Sequence, residues 1–158
     1  MTTPSPSPDP ATRYVRPTER MDRWFNASVR WLTEHGVSLL GSRVLTVRGR
    51  RSGLPRSTPV NLLVHDGERY LVAPRGNTEW VRNVRAAGEA ELRVGRRVER
   101  VRLTELPAGE RPVVLRVYLR RWGWEVGRFV EGLTKASSED QLAAAAPGFP
   151  VFRLAPAA

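Results

Sequence analysis

The chain of 158 residues contains no cysteine, so disulfides and thiolate metal ligands are both excluded. Histidine is also scarce: His35 and His65 are far apart in the sequence and have no matching carboxylate pattern, so no metal site is predicted. No apolar run approaches the length of a membrane span. The N-terminal residues do not resemble a secretory signal, and the expected location is therefore cytoplasmic.

Positive charge is what the sequence has in excess, with a net charge of +10. Lys135 is the only lysine among 26 basic residues, and the rest are arginine. Replacement of lysine by arginine is typical of a GC-rich genome, but it does not explain the excess of positive over negative charge. That excess favours an anionic partner, which could be a phosphorylated cofactor, a nucleic acid or an anionic membrane.

The chain is predicted to be one domain, residues 17–158, preceded by a disordered tail, residues 1–16. The tail is predicted because prolines alternate there with small polar residues. Between Thr18 and Gly36, apolar residues recur at helical spacing and arginines flank them. We expect this helix to lie over a ligand groove as a lid, and its apolar stripe also allows peripheral contact with a membrane.

The rest of the sequence predicts a mainly β protein of the α+β class. Strands are expected in hairpins, one of them turning at Asp66-Gly67 and another at Gly95. The predicted strands span residues 43–48, 59–65, 68–73, 91–94, 98–106 and 151–154. Predicted helices follow at 77–87, 110–121 and 138–148. Because the parallel alternation of strand and helix is missing, a small antiparallel barrel with flanking helices fits best.

The densest chemical signal is the loop at residues 47–59, which joins two strands. Arg50, Arg51 and Arg56 can converge on one anion if the loop turns tightly, and Ser57 and Thr58 can add hydroxyl donors. A solvated basic hairpin tip would show the same composition.

A second signal lies at residues 73–83, where a strand ends and Gly76-Asn77 leads into a helix. The start of a helix offers free amide donors and a positive dipole end, and both favour phosphate. Trp80 and Asn83 lie on one face of this helix. Core packing is the alternative role for Trp80.

Taken together and in this order, the two segments resemble the deazaflavin-dependent nitroreductase family, which uses coenzyme F420. The resemblance extends over residues 42–154. The matching residues are Gly49-Arg50-Arg51-Ser52-Gly53, Arg56, Thr58-Pro59, Asp66-Gly67, Arg75-Gly76, Trp80 and Asn83. It implies a split β-barrel of the FMN-binding type, with the cofactor in a groove.

The resemblance also implies a function and a set of site residues. Reduced F420 would transfer a hydride to an electron-poor acceptor such as a quinone, an enone or a nitro compound. The residues that would bind the cofactor are Arg50, Arg51, Arg56, Thr58, Pro59, Arg75, Gly76, Trp80 and Asn83. The family's tyrosine-rich C-terminal substrate wall looks replaced by Trp122 and Trp124, for which core packing is the alternative role. The candidate substrate residues are these two and, from the predicted lid helix, Trp24 and Trp31.

Other functions remain open at this point. A split barrel can also be a non-catalytic carrier of F420, FMN or haem. Nucleic acid is not expected as a partner, because the tryptophans sit on helical segments and do not interleave with the basic residues as in a stacking platform. The sequence is compatible with a monomer or a homodimer.

Overall fold

The structure, a computed structural model, describes residues 9–16, 42–126 and 132–157. The six strands are β1 (Ser42–Arg48), β2 (Pro55–His65), β3 (Glu68–Val72), β4 (Glu89–Val94), β5 (Arg97–Glu105) and β6 (Val151–Pro156). The helices are α1 (Glu79–Ala87), α2 (Arg111–Val126) and α3 (Glu139–Ala145). None of these described helices is long and apolar enough to cross a membrane. The predicted helix at residues 18–36, with Trp24 and Trp31, lies outside the described residues.

The strands close into a barrel in the order β1-β2-β3-β6-β5-β4, and every neighbouring pair is antiparallel. Strand β1 closes the barrel because it pairs with β2 on one side and β4 on the other. Closure removes the exposed strand edges that an open sheet would leave. This confirms the predicted fold class, a mainly β barrel with flanking helices.

The hairpin between β2 and β3 turns where it was predicted. Asp66 and Gly67 have φ angles of 50° and 76°, and His65 pairs with Glu68 across the turn. Two successive left-handed residues match the right-handed twist of the strands they join. The sequence signal for this hairpin therefore has a direct geometric cause.

Strand β2 begins at Pro55, four residues before the predicted start at Pro59. The additional residues pair with β1: Arg56 lies opposite Val47, and Thr58 lies opposite Leu45. The polar residues of this segment suggested a loop, but the ladder with β1 extends through them. Pro55 is tolerated because it is the first residue of the strand.

Apolar residues form two clusters, one inside the barrel and one outside it. The buried residues of the inner cluster are Leu45, Val47, Val60, Leu71, Ala73, Val81, Val84, Ala90, Leu92, Val101, Leu103, Phe152 and Leu154. The outer cluster lies between the barrel wall and helices α2 and α3. Its buried residues are Leu63, Val72, Leu106, Val114, Leu115, Tyr118, Leu119, Trp122, Leu142, Ala146, Phe149 and Val151.

Helix α1 is anchored to the barrel by its apolar face. Val81 and Val84 are buried in the inner cluster, next to strands β1 and β4. The helix ends at Gly88, which has a left-handed φ of 73° and donates its N–H to Val84 O at 2.7 Å. Burial of these valines fixes the direction of α1, and so it fixes where the first turn of the helix lies.

Trp122 lies in the outer cluster and not at a ligand surface. Its side chain is 0 % exposed, and its ring centroid is 5.1 Å from that of Tyr118 on the preceding turn of α2. The structure therefore does not place Trp122 where a substrate could touch it. Trp124 belongs to the same helix, but its side chain is not among those described.

Replacing Trp122 tests this placement. Trp122→Ala should lower the free energy of unfolding by about 3–5 kcal/mol, because it leaves a large cavity in the outer cluster. Chemical denaturation of the two proteins measures the difference. Val113→Ala is the control on the same helix: Val113 is 60 % exposed, and its loss should change the stability by less than about 0.5 kcal/mol. Equal effects of the two changes would show that Trp122 is not part of the core.

Candidate functional site

A cleft of about 460 Å³ lies between the start of β2 and the first turn of α1. The residues that line it are Tyr14, Arg56, Ser57, Thr58, Arg75, Thr78, Glu79, Trp80 and Asn83. They come from three separate segments of the chain. The cleft therefore exists only because the barrel brings these segments together.

One wall of the cleft is the part of β2 that extends beyond the predicted strand. Arg56 and Thr58 are two residues apart, so they share a face of the strand. Their partners in β1, Val47 and Leu45, are buried in the inner cluster. Among the described residues Arg56 has no hydrogen-bond or ion-pair partner, so its guanidinium group remains available for an anion.

The opposite wall is the beginning of α1. Thr78 occupies the N-cap position, but its side chain makes no capping hydrogen bond. Thr78 is 7 % exposed, and within the described part of the chain its Oγ1 atom is buried without a partner. The first amides of the helix add further donors at the same place. A buried hydroxyl beside free amides is the arrangement that a bound phosphate or carboxylate would satisfy.

Trp80 and Asn83 stand one turn apart on the cleft side of α1. The Trp80 ring packs against Phe152 of the inner cluster, with ring centroids 5.8 Å apart. Asn83 is buried, and its Oδ1 accepts hydrogen bonds from the backbone N–H of Arg50 at 3.1 Å and from Arg50 Nη1 at 2.9 Å. Asn83 therefore attaches the arginine-rich loop to α1.

The guanidinium of Arg50 is bound by side chains of helix α1. Its Nη1 also donates to Glu79 Oε2 at 2.8 Å, and Arg82 lies 3.7 Å from the same carboxylate. The hydrogen bond from Arg50 lowers the pKa of Glu79 below its usual range, so this carboxylate is ionised at neutral pH. Glu79 is the only acidic residue that lines the cleft within the described ranges.

The third side of the cleft comes from residues 9–16, which we call the strap. Tyr14 forms a β-bridge with Gly76, Val15 N–H donates to Arg75 O at 2.8 Å, and Asn77 N–H donates to Arg13 O at 2.9 Å. The prediction of a disordered tail was wrong for this stretch, since its hydrogen bonds go to residues far along the chain. Residues 1–8 lie outside the described part.

Gly76 is needed so that the strap can pack closely. Its φ is 83°, and a Cβ at this position would overlap with Arg13 O. The family resemblance implied that Gly76 binds the cofactor. In the structure it is buried under the strap, and it shapes the cleft by admitting Tyr14.

The other residues predicted to bind the cofactor differ in how close they lie to the cleft. Arg56, Thr58, Arg75, Trp80 and Asn83 line the cleft together. Arg50 contacts two of the lining residues, whereas Arg51 is exposed at the loop tip. Pro59 is half-buried in β2 and pairs with Val44, so it is adjacent to the cleft wall but not part of it.

Sequence reasoning missed three lining residues as site residues: Tyr14, Thr78 and Glu79. Thr78 and Glu79 are ordinary residues at the start of a helix, the first as a cap and the second at the positive end of the dipole, and a threonine at an N-cap gives no sign that its hydroxyl is unpaired. Tyr14 was hidden by the proline-rich composition around it. The described residues contain no group of three histidine or acidic side chains arranged to hold a metal ion.

The closed six-stranded barrel with flanking helices is that of the split-barrel class. Residues 16–123 match the profile of the family described as F420H(2)-dependent quinone reductase. The chain belongs to this family, which confirms the resemblance seen in the sequence. Membership in a family of F420H(2)-dependent enzymes implies coenzyme F420 as the cofactor.

Solved structures show the same fold at low sequence identity. The protein Atu2129 from Agrobacterium tumefaciens is 17 % identical, with a TM-score of 0.53 over 82 % of this chain and 54 % of that one. This chain thus spans about half the length of Atu2129. A structure described as a domain-swapped dimer is 19 % identical, with a TM-score of 0.52 over 85 % of this chain and 98 % of that one.

A third neighbour is a putative pyridoxamine 5'-phosphate oxidase from Listeria innocua. It is 12 % identical, with a TM-score of 0.50 over 85 % of this chain and 94 % of that one. At such low identities these likenesses show the split-barrel fold alone. No curated protein sequence matches the chain significantly.

The ion pair between Arg50 and Glu79 leads to a testable expectation for F420 binding. Glu79→Gln removes a negative charge from the cleft while keeping an oxygen that can accept from Arg50. An anionic cofactor should then bind about two- to fivefold more tightly, and the difference should shrink as salt is added. Fluorescence titration with F420 measures the dissociation constants.

Glu110→Gln is the matched control for this change. Glu110 is an exposed acid outside the cleft, so its replacement alters the net charge equally and should leave F420 binding unchanged. Weaker binding by Glu79→Gln would mean that the carboxylate orients Arg50 for the cofactor and does not compete with it.

Proposed function

We propose that this protein transfers a hydride from reduced F420 to an electron-poor organic acceptor: a quinone, an enone or a nitro compound. The observation that carries the proposal is that Arg56 and Thr78 line one cleft, and that among the described residues neither the Arg56 guanidinium nor the buried Thr78 Oγ1 has a hydrogen-bond partner. Both groups can bind the oxygens of a phosphate or a carboxylate. The family profile supplies the class of reaction.

We assign the anionic part of the cofactor to the positively charged side of the cleft. Arg56 would approach it from β2, and the first-turn amides of α1 with Thr78 would approach it from the opposite wall. Arg75 lines the same space: its Nε donates to Val15 O at 3.0 Å, which holds the side chain beside the strap. Charge-assisted bonds from two walls would fix both the position and the orientation of the cofactor.

Trp80 supplies the apolar surface of the cleft. It is half-buried and rests on Phe152, so its position is fixed before any ligand arrives. A planar ring system packs favourably on such a rigid aromatic side chain. We therefore place the ring system of the cofactor near Trp80, with its phosphate and acidic tail toward Arg56.

The reduced cofactor, when bound, supplies the hydride, so the protein's contribution is to bind, orient and exclude water. The residues that line the cleft suit this division of work. In the part of the chain that the structure describes, they include no histidine, and their one carboxylate, Glu79, is ion-paired with Arg50. This chain's own residues would accelerate the reaction mainly by holding the cofactor and the acceptor in contact.

The catalytic part of the proposal is tested by turnover. Reduced F420 is mixed with catalytic amounts of the protein and with menadione as a quinone acceptor, and reoxidation of the cofactor is followed by its absorbance. Multiple turnovers are expected, and FMN should compete only weakly with F420. Tight binding of F420 without turnover of quinone, enone or nitro acceptors would instead identify a carrier.

The binding part is tested at Arg56. A charge-assisted hydrogen bond is worth about 1.5–3 kcal/mol, so Arg56→Ala should weaken F420 binding by roughly 10- to 100-fold. Because Arg56 is assigned to the anionic part of the cofactor, away from the reacting ring, kcat at saturating cofactor should stay within a few-fold of the parent value. Binding by the parent protein should also weaken with added salt, since Arg56 is exposed to solvent.

Arg96→Ala provides the control for a general loss of positive charge. Arg96 is exposed in the turn between β4 and β5 and does not line the cleft, so this variant should bind F420 like the parent. If Arg56→Ala binds F420 as tightly as the parent, Arg56 does not bind the anionic part of the cofactor. The arginine-rich segment would then be a solvated hairpin tip.

A further inference from the structure

The strap is held in place by hydrogen bonds of its backbone and of the Arg13 side chain. Beyond the backbone bonds described above, Asn77 Nδ2 donates to Ala11 O at 2.7 Å and to Arg13 O at 3.0 Å. Arg13 Nη1 donates to Pro74 O at 2.8 Å. None of these contacts uses the phenol ring of Tyr14.

Tyr14 itself lies at the cleft and outside both apolar clusters. It is 39 % exposed, although it lines the same space as Arg75, Thr78 and Trp80. The guanidinium of Arg82 is 5.8 Å from the centre of its ring, a distance at which a cation is still attracted to an aromatic face. An exposed tyrosine on a fixed backbone beside a ligand cleft is suited to pack against what the cleft binds.

We propose that the ring of Tyr14 packs against F420 bound in the cleft, and that the strap is therefore part of the cofactor site. This inference rests on the proposed function. The family profile begins at residue 16, so the family match assigns no role to Tyr14. The role is inferred from the position of Tyr14 in the lining of the cleft.

Two substitutions separate the ring of Tyr14 from its hydroxyl. Tyr14→Ala removes the ring and leaves every backbone bond of the strap intact, and it should weaken F420 binding about five- to tenfold in a fluorescence titration. Tyr14→Phe keeps the ring and should bind within about twofold of the parent. If Tyr14→Phe loses as much affinity as Tyr14→Ala, the contact belongs to the hydroxyl and the ring packing is wrong.

The strap as a whole can be displaced from a site outside the cleft. A Cβ at Gly148 would lie 2.7 Å from Pro10 O and 3.2 Å from Arg13 Cβ, so Gly148→Ala should push the strap away. Gly109→Ala is the matched control, because a Cβ there meets nothing within 4 Å. Both changes add one methyl group at a backbone position that does not line the cleft.

Trypsin reports the position of the strap independently of activity. Cleavage after Arg13 should be slow in the parent and in Gly109→Ala, and several-fold faster in Gly148→Ala. Because ligand binding and strap docking are coupled in both directions, saturating F420 should slow this cleavage in the parent. Gly148→Ala should also bind F420 more weakly than Gly109→Ala.

The outcomes separate this inference from the proposed function. A parent protein that does not bind F420 overturns both. A parent that binds F420, with Tyr14→Ala binding equally well, overturns only the role of Tyr14. If trypsin cleaves Gly148→Ala and Gly109→Ala equally fast, the strap is not docked as described, and the role of Tyr14 that depends on it is contradicted. If Gly148→Ala is cleaved faster but binds F420 as tightly as Gly109→Ala, the strap lies outside the cofactor site.

Discussion

The side chain of Asn77 links the strap to helix α1 and, through Arg85, to strand β5 of the barrel. Its Nδ2 holds the carbonyls of the strap, while its Oδ1 accepts from Arg85 Nη1 at 2.6 Å. Arg85 in turn binds Glu105 at the end of β5 through two hydrogen bonds of 2.8 and 2.7 Å, and Glu105 is 3.3 Å from Arg111 of α2. Because Asn77 is buried, loss of one partner would leave polar atoms unsatisfied, so strap, α1 and barrel are held as one unit.

Those features of the fold that have local causes could be predicted from the sequence. Asp66-Gly67 specifies a hairpin by its φ angles. The helix predicted from residue 138 begins there with a capping box, in which Ser138 and Gln141 exchange hydrogen bonds of 2.8 and 3.1 Å. Features that depend on distant residues could not be predicted. The early start of β2 at Pro55 depends on pairing with β1, and the order around residues 9–16 depends on hydrogen bonds to Arg75 and beyond.

The same distinction applies to the site. Residue types and spacing were enough to select Arg56 and Trp80, the family resemblance added Arg75, and all three line one cleft. They could not show which arginine is available to a ligand. Arg50 has the more suggestive position in the loop, yet it is bound to Asn83 and Glu79, and only the folded structure reveals these partners.

The ion-pair and hydrogen-bond partners of the arginines show which of them stabilise the fold and which face the cleft. Arg69 pairs with Glu99 through bonds of 2.7 and 2.9 Å, and Arg116 donates to the carbonyls of Lys135 and Ser137. Such arginines stabilise the fold, so their number says little about binding an anion. Arg56 differs because it faces a cleft without a partner among the described residues. The proposed anion site thus depends on two groups that line one cleft and have no partner among the described residues, the guanidinium of Arg56 and the hydroxyl of Thr78, and not on the net charge.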